Sequence, residues 1–135
     1  MKFTVFGASG GIGTQVVAQG LAAGHQVTAV VRDRVRLTVP DQEGLSVVVA
    51  GFGSADALAG AVGGADAVIS ALGAYGRRPV TVCQDGVRAE ITAMRSAGVG
   101  RLLVISASAL RTVPNDSFVM RAVLKPGVGF AFRRH

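Results

Sequence analysis

Along the chain, short apolar runs alternate with longer segments of helical period. KFTVFG, residues 2–7, is rich in aromatic and β-branched side chains and predicts a first strand. Residues 11–23 place Ile12, Val16, Val17 and Leu21 at helical spacing, and Gly24 supplies a stop. HQVTAVVR (25–32) and LSVVVAG (45–51) read as the second and third strands. Ser54 then caps a short helix, SADALAGAVGG, and DAVISALG (66–73) reads as the fourth strand. A longer helix is expected over 81–97, with Val82, Val87, Ile91 and Met94 on its inner stripe and Gly98 ending it. RLLVISAS (101–108) is the fifth strand.

Strands made almost entirely of Val, Ile and Leu are buried on both faces, as in a parallel sheet covered by helices. The β-α-β rhythm with short connections therefore predicts an α/β domain with a doubly wound parallel sheet of about five strands, in the order 3-2-1-4-5. The domain is expected over 1–125, with an irregular basic tail over 126–135. A chain of 135 residues suits a single domain with a real core.

Composition changes this picture little. Half of the residues are hydrophobic and 16% are charged, which excludes a disordered segment. No apolar stretch approaches the roughly 18 residues that span a bilayer, so no membrane association is expected. A lone cysteine, Cys83, leaves no internal disulfide and sits at a packing position; His25 reads as structural or solvated. A cytoplasmic location is the default. The net charge of +6 is uneven, because residues 111–135 carry five basic side chains against Asp116. With no aromatic stripe beside those charges, they read as a solvated end, and no nucleic-acid partner is expected.

The chemistry is concentrated in GASGGIG, residues 7–13. It stands after a strand and opens a helix, where unpaired N–H groups and a partial positive charge favour an anion. Gly7, Gly10 and Gly13 have the spacing GxxGxxG, which lets a pyrophosphate approach bare backbone. A P-loop would need Lys after the last glycine; Thr14 follows instead, and the next Lys is Lys125. A dinucleotide cradle competes with a ligand-free turn. Nineteen residues past Gly13 stands Arg32, where an acidic residue would grip the ribose of NAD. A guanidinium there suits a 2′-phosphate, so NADP(H) is expected over NAD(H). The competing reading is a solvated RDR loop.

FTVFGASGGIGTQVVAQGLAAGHQVTAVVRD, DAVISALG and GVGRLLVISAS together resemble the atypical short-chain dehydrogenase/reductases, and more narrowly the NmrA-like and flavin/biliverdin-IXβ reductase-like NAD(P)H-binding group. The resemblance runs from Met1 to about Lys125. It implies a Rossmann-type domain in which Gly7, Ser9, Gly10, Gly11, Ile12 and Gly13 form the pyrophosphate loop and Arg32 holds the 2′-phosphate. Ala71, Leu72 and Gly73 would pass beside the adenosine ribose and nicotinamide side. Ser106 and Ser108 would face the nicotinamide as candidate catalytic residues, although serine at a strand end is as often a plain cap.

Three departures from the family pattern stand out. Phe52 occupies the place expected for an Asp that reaches the adenine amino group. The Tyr-x-x-x-Lys pair is absent, since Tyr75 is the sole tyrosine and Pro79 stands four residues on. The chain also stops before the C-terminal half of the usual fold, so truncation near Lys125 to Gly127 is expected. The fifth strand would then be an edge on which a homodimer could form. Three functions stay open. The first is an NADP(H)-dependent oxidoreductase passing hydride to a flavin- or quinone-like small molecule. The others are a non-catalytic redox sensor and an inactive remnant.

Overall fold

The computed structural model describes residues 1–73 and 81–105. Its elements are β1 (Lys2–Phe6), α1 (Gly11–Ala22), β2 (Gln26–Val31), a 3-10 turn (Arg34–Arg36), β3 (Leu45–Val49), α2 (Ala55–Val62), β4 (Ala67–Ser70), α3 (Thr81–Ala97) and β5 (Leu102–Val104). All strand pairs are parallel, and the sheet runs β3-β2-β1-β4-β5, the Rossmann order that the sequence predicts. Residues 1–105 form one unit. The remainder of the expected domain, 106–125, and the tail over 126–135 lie outside the described residues. Among the described residues no helix is long and apolar enough to cross a membrane.

The strand sequences explain the layering. Side chains alternate across a sheet, so a strand apolar at every position feeds two cores. Phe3 and Val5 of β1 join Val17 of α1 and Val27, Ala29 and Val31 of β2 on one face. Phe6 joins Val30, Leu58, Val62, Val68 and Met94 on the other, under α2 and α3. Thr4, fully buried in this second layer, donates its hydroxyl to the Ala61 carbonyl at 2.7 Å, which offsets its desolvation. Gly24 and Gly98 take φ of +82° and +71° just past α1 and α3, where the sequence places the helix stops.

The rotation of α3 differs from the expected stripe. Met94 is buried, but Ile91 is 37% exposed, and the inward positions are Gly86, Glu90 and Ala93. Space decides this. A Cβ at Gly86 would lie 2.9 Å from the Phe52 ring and closer still to the Leu72 side chain, so the glycine lets both side chains pack against the helix without shifting. Glu90 follows one turn later and is carried into the core with no exposed surface. Ser70 donates its hydroxyl to Glu90 Oε1 at 3.1 Å, whereas Oε2 has no partner among the described residues.

At its far side the sheet ends, among the described residues, in β5, where Leu103 and Val104 are 43% and 53% exposed. This is the edge that the sequence reading assigns to a second copy.

Burial pushes the Glu90 carboxyl up to about 7 from 4.5, against the opposing effect of the Ser70 hydrogen bond. The folded chain therefore favours the protonated acid more than the unfolded chain does. This stability is fully present below the unfolded pKa and is lost as pH rises from about 4.5 through about 7, by on the order of 3 kcal/mol. Denaturant titrations at pH 5 and pH 8 should show that loss in the native sequence and little of it in Glu90→Gln. An equal slope in both would exclude Glu90 as its source.

Candidate functional site

The carboxyl ends of the strands open into a cleft. Phe6, Gly7, Ser9 and Gly10 line it from the β1–α1 turn. Val30, Val31 and Arg32 contribute from the end of β2, and Ala50 and Phe52 from the segment after β3. Ala71, Leu72 and Gly73, after β4, complete it. This is the crevice where open parallel sheets hold ligands, since the strand order reverses direction between β1 and β4.

Backbone proximity dictates the glycines of the turn. Gly7 has φ +71°, and a Cβ there would stand 2.6 Å from the Ala71 carbonyl oxygen. Both the left-handed conformation and the neighbouring strand end exclude a side chain. Gly13 packs so closely that a Cβ would strike the Gly7 carbonyl. The turn closes with Gly10 N–H donating to Gly7 O at 3.0 Å, and the Thr14 hydroxyl donates to Ala8 O at 3.0 Å. Gly10 is the N-cap of α1, supplies no side-chain hydrogen bond, and no acidic residue stands in the first turn. The positive end of a twelve-residue helix thus lacks the usual side-chain cap, and Gly10 itself borders the cleft.

The neighbouring charges are allotted distinctly. Asp33 accepts from Val35 N–H at 3.0 Å and so caps the 3-10 turn. Arg34 pairs with Asp41, the one ion pair among the described residues. Arg32 is exposed, borders the cleft and joins no carboxylate among the described residues. It is the side-chain cation of the cleft wall among the described residues.

The structure brings together Gly7, Ser9, Gly10, Arg32, Ala71, Leu72 and Gly73 of the expected cofactor-binding set. Gly11, Ile12 and Gly13 do not line the cleft. Gly11 faces open space, Ile12 is 57% exposed, and Gly13 is buried under the turn. Ser106, Ser108 and Tyr75 lie outside the described residues. Phe52, which stands where the family resemblance implies an Asp, forms part of the cleft wall. Sequence reasoning missed Glu90 altogether. The available signal was an acid four residues after a mid-helix glycine, on the same helical face.

A model of the NAD(P)H-binding family matches residues 7–128. An oxidoreductase from Lactococcus lactis has a similar structure, with a TM-score of 0.71 and 21% identity over 98% of this chain and 60% of its own. A Bacteroides thetaiotaomicron protein described as an epimerase gives 0.68 at 28% identity, over 98% of this chain and 63% of its own. A wide-type short-chain dehydrogenase/reductase from Veillonella parvula, in complex with NADP, gives 0.65 at 23% identity, over 81% and 49%. The chain thus spans less than two thirds of the length of these three solved structures.

The two glycines flanking Ile12 should respond oppositely to a methyl group. Gly13→Ala meets backbone that cannot swing aside and should destabilise by roughly 1–3 kcal/mol, despite alanine's better helix propensity. Gly11→Ala meets nothing within 4 Å and should stay within about 0.5 kcal/mol of the native sequence or gain stability. Urea midpoints measure both; equal effects would refute the close packing of Gly13 on Gly7.

Proposed function

Because the chain belongs to the NAD(P)H-binding family, we propose that it is an NADP(H)-dependent oxidoreductase of the atypical short-chain type, acting on a flat conjugated acceptor such as a flavin or quinone. The observation that carries the cofactor preference is Arg32, uncommitted to any carboxylate among the described residues and set in the cleft beside the glycine turn. The turn fits a dinucleotide for a separate reason. Its backbone is bare where Gly7 approaches Ala71, and the α1 terminus lacks a side-chain cap. The first lets the turn form and the second leaves a helix terminus that favours an anion such as a pyrophosphate.

In this reading Gly7, Ser9 and Gly10 hold the pyrophosphate, with the first turn of α1 supplying positive potential. Arg32 holds the 2′-phosphate through charge-assisted hydrogen bonds. Ala71, Leu72 and Gly73 border the ribose. Ser106 and Ser108 enter the proposal by their place in the sequence, shortly after β5, as hydroxyls that orient the reacting groups. When bound, the nicotinamide would supply the hydride, and the residues of this chain would position it. With no Tyr-x-x-x-Lys pair in the chain, the proton comes from solvent.

The same missing pair favours a second reading, a dinucleotide sensor without turnover. NADPH oxidation in the presence of FMN or a quinone separates the two. Turnover supports the reductase, whereas binding without oxidation supports the sensor. Arg32→Ala should weaken NADPH ten- to a hundredfold and leave NADH within about threefold, as measured by fluorescence titration. An equal loss for both cofactors would refute the assignment of Arg32 to the 2′-phosphate.

A further inference from the structure

Away from the glycine turn the cleft wall is apolar, formed by Val30, Val31, Ala50, Phe52 and Leu72. Among the described lining residues, Ser9 and Arg32 alone carry side-chain hydrogen-bonding groups, and Ser9 belongs to the turn. Among the described residues the wall therefore holds no carboxylate or amide side chain that could read the edge of a heteroaromatic base. It does hold a half-buried aromatic ring.

The seating of that ring has a structural cause. Gly86 lies inside the seventeen-residue α3, where glycine is unfavourable because it orders more backbone than any other residue. Its missing Cβ is the space that the Phe52 ring and Leu72 fill. The tip of the Phe52 ring thus lies against Gly86, while the residue borders the cleft. A ring packed in this way can stack with little ordering cost on binding, because every nucleobase presents a π-face.

We propose that Phe52, backed by Gly86, is the platform for the base of the bound dinucleotide, and that the site accepts purines without reading their 6-substituent. This inference rests on the dinucleotide reading above and adds the chemistry of base selection. Adenine carries an amino donor at position 6 and an acceptor at N1; hypoxanthine carries an oxo acceptor and an N1–H donor. Exchanging one for the other reverses the hydrogen-bond pattern and leaves the stacking surface nearly unchanged. A site that reads the edge separates them, because one of the two leaves a polar group unpaired.

Titration of the full chain with NADP⁺ and with deamino-NADP⁺, whose base is hypoxanthine, tests the proposal. The two dissociation constants should agree within about threefold. A preference of tenfold or more for either base would overturn the platform and leave the dinucleotide reading intact. Failure of both nucleotides to bind would end both readings. Phe52→Ala should weaken both nucleotides by roughly tenfold and in equal measure. Phe52→Leu keeps apolar bulk against Gly86 and removes only the ring, so it serves if the alanine variant does not fold. Unchanged affinity in the leucine variant would also overturn the proposal.

Discussion

Three stretches of main chain meet at Gly7 with no room for a side chain among them. The end of β1, the start of α1 and the end of β4 converge there, Gly7 against the Ala71 carbonyl and Gly13 against Gly7. Because the contact is between backbones, it admits little adjustment by rotamers or side-chain relaxation. It sets the angle at which α1 leaves the sheet and hence where the helix terminus lies. It also holds the β1 and β4 ends together at the position where the strand order reverses. The cleft is a consequence of that meeting, and the lack of a side-chain cap at Gly10 leaves its floor positive.

Helix α3 supports the same cleft from behind. Gly86 admits Phe52 and Leu72, and Glu90, one turn further on, lies under Ser70 at the end of β4. Burying a carboxyl with one oxygen unpartnered among the described residues is costly, and the acid responds by holding its proton to higher pH. Thr4, in the same layer, shows the inexpensive alternative, a neutral hydroxyl given a carbonyl partner. The approach that seats the cleft wall is therefore coupled to the placement of an ionisable group in the core.

Electrostatic division of labour operates across four consecutive positions after β2. Asp33 turns back to cap the 3-10 turn, Arg34 pairs with Asp41, Val35 is exposed, and Arg32 is left to the cleft. One cation beside a bare backbone cradle is a small amount of machinery. It suits an NAD(P)H-binding domain, where the backbone and a single cation can receive phosphates.

The order and type of the elements were legible in the residues because the signals are local: short β-branched apolar runs bounded by turn residues favour buried strands, and glycines at the ends of periodic segments stop helices. The GxxGxxG spacing and Arg32 were legible for the same reason, as each depends on residues near in sequence to a strand end. Ladder ends were less so. DAVISALG reads as strand through Gly73, but β4 ends at Ser70 because the next three residues turn to border the cleft. The inward face of α3, the burial of Glu90 and the seat of Phe52 were not legible. Each follows from contact between segments far apart in the chain, Gly86 with Phe52 and Leu72, and Ser70 with Glu90. Which side of a helix faces inward is decided by the surface it meets, and a strip of letters does not contain that surface.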